Sequence, residues 1–135
     1  MDTGAWYAVE VEDDVNHRAG KRFLSALSTG RYGTPVTTDY VLDETMTLLR
    51  SRRGLSAALA FADKVRTSGS VRVFWVDEPL FDKALGFFHK SDGSSWSFTD
   101  CTSFALMNEL SIADAFAFDG HFREAGFRLC PEPAA

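Results

Sequence analysis

Trp96-Ser97-Phe98-Thr99-Asp100-Cys101-Thr102-Ser103, followed by Phe104-Ala105-Leu106-Met107, is where a polar loop gives way to an apolar helix. A small polar residue, Thr99, precedes an acid that opens a run with helical apolar spacing, which is a helix N-terminus signature. Asp100 then falls in the first turn, where the helix macrodipole favours a carboxylate. Taken alone, it is a charged helix end of a common kind. Asp2, Glu44 and Asp119 stand at comparable strand-to-helix junctions, however, and an α/β sheet brings such junctions to one edge. The meaning of Asp100 therefore turns on whether the rest of the chain alternates strand and helix.

It does. Downstream, Ala115-Phe116-Ala117-Phe118 is a strand ended by Asp119, and Gly120-His121-Phe122-Arg123 begins a short helix that Gly126 closes. Phe127-Arg128-Leu129-Cys130 is a last strand before a Pro-containing tail. Upstream, His89 to Ser95 is a Gly/Ser-rich connector, and Pro79 sits near the start of a helix through Leu80, Ala84, Leu85 and Phe88. Val71-Arg72-Val73-Phe74-Trp75-Val76 is the clearest strand, β-branched and aromatic. Before it, Ser56 to Val65 forms an amphipathic helix with Leu59, Ala62 and Val65 on one side.

Pro35-Val36-Thr37-Thr38 is a short strand with proline at its first position. Asp39 is placed to cap the next helix, whose stripe is Leu42, Met46 and Leu49 and whose basic end is Arg50, Arg52 and Arg53. Glu44 lies near the end of its first turn. An earlier helix, with Asn16 at its start, carries Ala19, Phe23 and Leu27 on one face and Arg18, Lys21 and Arg22 on the other. The chain opens abruptly: if Asp2 ends a strand, that strand is very short or lies upstream of Met1. Strands alternating with helices predict a parallel α/β sheet with right-handed crossovers, and sites in such sheets form outside the carboxyl ends of the strands.

At 135 residues, 45% hydrophobic and 24% charged, the chain has the size and composition of a single globular domain. No run approaches the roughly 18 apolar residues of a membrane span, and the acidic N-terminus is unlike a signal peptide, so a cytoplasmic protein is expected. Cys101 and Cys130 are too few for a disulfide framework and suit small buried thiols. His17, His89 and His121 lack zinc-ligand spacing. A net charge of -5 argues against nonspecific coating of nucleic acid, but not against a nuclease whose metal-binding carboxylates are themselves acidic.

Several carboxylates without accompanying histidines suit a hard cation, magnesium or manganese. Such an ion can activate water for in-line attack on a phosphodiester. Other chemistries lack parts. There is no G-x-x-x-x-G-K-[ST] phosphate loop, and a serine nucleophile would have only His121 near the acids. His121 either covers the short last helix or approaches substrate, and Trp96 either packs or stacks a base.

Asp2-Thr3-Gly4-Ala5-Trp6, Thr38-Asp39-Tyr40-Val41-Leu42-Asp43-Glu44-Thr45, Ser97-Phe98-Thr99-Asp100-Cys101-Thr102-Ser103 and Phe118-Asp119-Gly120-His121-Phe122 follow one another in the order seen in PIN-domain nucleases. The chain resembles the VapC-type toxins of bacterial toxin–antitoxin pairs over essentially its whole length. That resemblance implies a single PIN domain over residues 1–135, folded as a three-layer α/β/α sandwich around a parallel sheet. It also implies a magnesium- or manganese-dependent endoribonuclease, commonly a homodimer, held inactive by a cognate antitoxin. By position, Asp2, Glu44, Asp100 and Asp119 would be its catalytic and metal-binding acids, and Thr3 the hydroxyl residue beside the first. Asp43 adjoins Glu44, but successive helix residues point about 100° apart, and the motif match selects Glu44. Two departures stand out: the strand before Asp2 is nearly missing, and Gly4 occupies a place where serine or alanine is common.

The competing reading is a PIN fold that binds or processes RNA with weak or no cleavage. Uncompensated acids would hinder binding to RNA phosphates, which weighs against it. A phosphoacceptor domain of the response-regulator kind would need a lysine near a strand-end aspartate, and none is placed for it. Arg18, Lys21, Arg22, Arg50, Arg52 and Arg53 either flank an RNA path or form solvated helix faces. Trp6, Tyr7 and Phe23 are candidates for an exposed groove that an antitoxin helix would fill.

Overall fold

In a computed structural model, residues 1–133 are described; the last two residues of the Pro-containing tail lie outside the described residues. The helices are α1 (Thr3–Glu10), α2 (His17–Leu27), α3 (Asp39–Arg53), α4 (Leu55–Ser68), α5 (Glu78–His89), α6 (Phe98–Glu109) and α7 (His121–Glu124). The strands are β1 (Val36–Thr38), β2 (Arg72–Phe74), β3 (Asp114–Phe116) and β4 (Arg128–Cys130). β1 pairs parallel with β2, from Val36 opposite Arg72 to Thr38 opposite Phe74. β3 pairs parallel with β4, from Asp114 opposite Arg128 to Phe116 opposite Cys130. The expected parallel α/β arrangement is present, but with strands of three residues.

Side-chain alternation shows how the layers stack. On β3 and β4, Ala115 and Leu129 join the core formed by Leu80, Ala84, Phe104 and Phe122 from α5, α6 and α7. Their neighbours Phe116 and Cys130 point the other way, onto Ala5 and Val9 of α1 and Phe23 of α2. On β2, Phe74 faces the α5–α6 core, while Val73 packs against Trp6, Val41, Leu49, Phe61 and Val65 of α1, α3 and α4. Helices therefore cover both faces of the strands.

Phe104 is the hub of the α6 side. It is fully buried, with ring centroids of Phe122, Trp96, Phe127 and Phe87 at 5.0, 5.1, 5.8 and 5.9 Å. Truncation there removes burial and leaves a cavity under four rings. We expect Phe104→Ala to lose about 3–5 kcal/mol in urea denaturation, and a loss below about 1 kcal/mol would contradict this packing. Trp96 thus packs, and its ring is not a free stacking platform.

Three local assignments differ from the sequence expectation. Thr38, not Asp39, caps α3: its extended backbone lets its hydroxyl accept from Val41 N–H at 3.1 Å. Asp39 instead accepts from Val76 N–H at 2.8 Å and ties the end of β2 to the start of α3. On α4 the buried stripe is Ala58, Phe61 and Val65, because the bulky Phe61 ring sets the inward face, and Leu59 is left 59% exposed. α6 starts at Phe98 rather than after Thr99, since Ser97 supplies the cap.

Candidate active site

Met1 and Asp2 run between the two strand pairs. The Met1 nitrogen donates to Val36 C=O at 2.7 Å, and Asp2 N–H donates to Phe116 C=O at 3.0 Å. Thr37 Oγ1 donates to Met1 C=O at 3.0 Å and accepts from Trp6 Nε1 at 3.4 Å. These bonds fix the Asp2 backbone at the carboxyl ends of β1 and β3, and α1 departs from it at once. Asp2 is only 5% exposed.

Asp100 arrives from α6. Ser97 Oγ accepts from Asp100 N–H at 3.0 Å, and Asp100 Oδ2 accepts from Ser97 N–H at 3.0 Å, a reciprocal capping box. The S-x-x-D spacing of Ser97 and Asp100 carries this signal in the sequence. Asp119 follows β3 by three residues rather than closing it, and its Oδ1 accepts from His121 N–H at 3.0 Å.

His121 links these parts. Its Nδ1–H donates to Asp100 Oδ2 at 2.8 Å, and its Nε2 pairs with the Ser95 hydroxyl at 3.1 Å. One ligand atom from each of Asp100, Asp119 and His121 lies within 4.8 Å of the others. His121 is thus held inside the acidic cluster rather than merely covering the short last helix.

Electrostatics place Asp2 in the same cluster. Burial first, then the charges of Asp119 and Asp100, push its carboxyl up to about 7, against the opposing pull of the Thr3 amide and the terminal ammonium. Burial alone would lower the His121 pKa, but Asp119 and Asp100 outweigh it and raise the value. Among the described residues, no lysine or arginine pairs with Asp2, Asp100 or Asp119. Burial and Asp100 push the Cys101 thiol up to about 11, leaving it an inert neighbour.

Glu44 is not brought into this group. It is exposed on the second turn of α3, about 7 Å along the helix from Asp39. Gly4 is exposed, and a side chain there would meet only Asp2 Oδ2, at 3.9 Å. The basic end of α3 lies about 20 Å along the helix from the acidic edge. Arg53 pairs there with Asp13, and Arg52 covers the Tyr7 ring at 5.7 Å. Those two arginines tie the end of α3 to the α1 side. Trp6, Tyr7 and Phe23 are buried, and the exposed apolar side chains include Val15, Leu55, Leu59, Trp75, Phe81, Phe88 and Leu110.

The PIN-domain family model matches the chain over residues 1–128. The chain belongs to the PIN-domain family. This PIN domain is 39% identical over 127 residues to the 23S rRNA-specific endonuclease VapC20 of Mycobacterium tuberculosis, covering 94% of this chain and 93% of that one. It is 27% identical over 123 residues to a VapC ribonuclease of Archaeoglobus fulgidus, covering 90% of this chain and 77% of the relative. Its structure superposes on the crystal structure of M. tuberculosis VapC20, described as a sarcin–ricin loop cleaving toxin, with a TM-score of 0.85. There the identity is 38%, over 93% of each chain.

The site fits a divalent cation. The carboxylates of Asp100 and Asp119 act on buried Asp2 with no lysine or arginine paired to any of the three among the described residues, and the buried Thr3 hydroxyl, next to Asp2 in the chain, has no hydrogen-bond partner. Oxygen donors of this kind suit a hard ion that keeps part of its water shell.

Proposed function

We propose that this chain is a divalent-metal-dependent endoribonuclease, the toxin of a toxin–antitoxin pair, with magnesium or manganese as its cofactor. The observation that carries this reading is the cluster of Asp100, Asp119 and His121, whose two carboxylates act on the buried Asp2. Asp2, Asp100 and Asp119 hold the ion, with Glu44 of α3 as the outer member of the set. When bound, the cation offsets the mutual repulsion of the acids and activates water for in-line attack on a phosphodiester.

The protein's own groups orient the acids. Ser97 N–H and His121 Nδ1–H both engage Asp100 Oδ2, which leaves Oδ1 as the free oxygen. Ser95 fixes the far side of the His121 ring, and His121 N–H steadies Asp119. Thr3 offers its unpaired hydroxyl beside Asp2.

The extent of identity to VapC20 points to ribosomal RNA as the substrate class. A cognate antitoxin and a second copy of the chain are the partners, and the cytoplasm, where ribosomes are, is the place of action. Among the described residues, no helix is long and apolar enough to cross a membrane.

The test is a labelled RNA fragment containing the sarcin–ricin loop, incubated with the protein in Mn²⁺ and in chelator. A single cut that needs the metal is expected. Metal-dependent cutting of unrelated RNA alone would move the target, and binding without cutting in any metal would replace the nuclease with an RNA-binding PIN fold.

A further inference from the structure

The sequence pattern offers carboxylates without accompanying histidines, but in the fold a histidine stands beside them. The neighbour of His121 in the chain fixes its place. Phe122 is 2% exposed, and its ring lies 5.0 Å from that of Phe104. Ser95 is placed in the same way, because the ring of the next residue, Trp96, lies 5.1 Å from Phe104. One buried ring thus anchors both residues, and Ser95 Oγ meets His121 Nε2 at 3.1 Å across 26 residues of chain.

The other ring nitrogen faces the acids. Nδ1 lies 2.8 Å from Asp100 Oδ2 and 3.8 Å from Asp119 Oδ1. Ligands held about 2.1 Å from an octahedral ion are about 3 Å apart when adjacent and about 4 Å apart when opposite. Both distances fall close to that range, so one ion can be shared by the nitrogen and the two carboxylates. In the metal-free protein Nδ1–H donates to Asp100. The Ser95 hydroxyl is placed to accept Nε2–H instead, and that tautomer turns the Nδ1 lone pair to the acids. Histidine metal ligands are held in this way, with the second ring N–H given to a fixed acceptor.

We propose that His121 Nδ1 is itself a ligand of the cation and sets its identity, so that the site takes manganese in preference to magnesium. The ion occupies the place of the Nδ1 proton seen in the metal-free arrangement. This inference rests on the reading of the site as a divalent-cation centre, to which it adds a residue and a choice of metal. A set of oxygen donors alone suits magnesium and manganese alike. An imidazole nitrogen changes that balance, because transition ions accept it whereas magnesium holds to oxygen ligands and its own water. His121 is not among the four acids that the family resemblance supplies; it enters on its distances alone.

The test compares the full chain with His121→Asn, whose amide N–H can still donate to Asp100 but which offers no imidazole. Mn²⁺ is titrated into each protein and followed by electron paramagnetic resonance, and Mg²⁺ is measured by its competition with Mn²⁺. Electron spin-echo modulation of the Mn²⁺-loaded proteins reads directly bound nitrogen.

The wild-type spectrum is expected to carry imidazole-nitrogen modulation that His121→Asn abolishes. Mn²⁺ affinity should fall about tenfold or more in the mutant, while Mg²⁺ affinity stays within about threefold. Mn²⁺ bound to the wild type without nitrogen modulation, or with modulation unchanged in His121→Asn, would overturn the proposal and leave the nuclease reading standing. Affinity lowered equally for both ions would reduce His121 to a group that holds Asp100 in place, and would also overturn it. A wild-type protein that binds no Mn²⁺ would remove the cation centre together with its ligand.

Discussion

Asp100→Asn is expected to lower metal-dependent RNA cleavage by about 10²–10³-fold while the protein stays folded. The substitution keeps the shape of the side chain, and the amide oxygen still accepts from Ser97 N–H, so the α6 cap survives. What disappears is the negative charge held at 2.8 Å from His121 and close enough to Asp2 to raise its pKa. That charge is what a bound cation would be held by. Initial rates on one labelled RNA at fixed Mn²⁺, with circular-dichroism melts of both proteins, make the comparison. A mutant that cuts within about threefold of wild type would remove Asp100 from the site.

The second large effect is in stability, and its sign depends on pH. Asp2 is nine-tenths or more buried, and its carboxyl sits at about 7 instead of the ordinary 3.8. The folded protein thus keeps this proton to higher pH than the unfolded chain does. Its contribution to stability is fully present below about 4 and is lost as pH climbs through about 7. The handicap of the ionised, metal-free state is on the order of 4 kcal/mol. Asp2→Asn removes the titrating group. In chelator the mutant should melt close to wild type at pH 4 and about 5 °C or more above it at pH 8.

The Met1 amine titrates in part of the same window with the opposite sign, its pKa lowered to about 6 from 8.0. It is present in both proteins, so the difference between them reports Asp2. Adding Mn²⁺ at pH 8 should reverse the order, because wild type gains binding energy that the mutant lacks. A mutant no more stable than wild type in chelator at pH 8 would mean that Asp2 is not crowded by Asp100 and Asp119.

Much of this architecture was legible because alternation of strand and helix is written in local pattern. Val71 to Val76 carries three β-branched valines and two aromatic residues, and Gly126 closes α7 at a φ of 97°. The order of the acids likewise survived translation into space for Asp2, Asp100 and Asp119. What sequence could not supply was direction on a helix of mixed character. On α4 both Leu59 and Phe61 are apolar, and only packing against Trp6, at 5.2 Å between ring centroids, decides that Phe61 turns inward. Capping suffered similarly, since Thr38 and Asp39 are both good caps, and the bond from Val76 N–H claims Asp39.

His121 was hard to place for a related reason. Its partners Asp100 and Ser95 are 21 and 26 residues away, and nothing in its own neighbourhood names them. Glu44 shows the converse. Its motif is local and readable, but its exposed position on α3 leaves its part in the site to experiment.

The most direct test of the whole account is a crystal of the protein grown with Mn²⁺ and measured at the manganese absorption edge. The account predicts an anomalous peak at the carboxyl edge of β1 and β3, contacted by carboxylate oxygens of Asp2, Asp100 and Asp119. A peak bound elsewhere, or no peak at an Mn²⁺ concentration that supports cleavage, would contradict it.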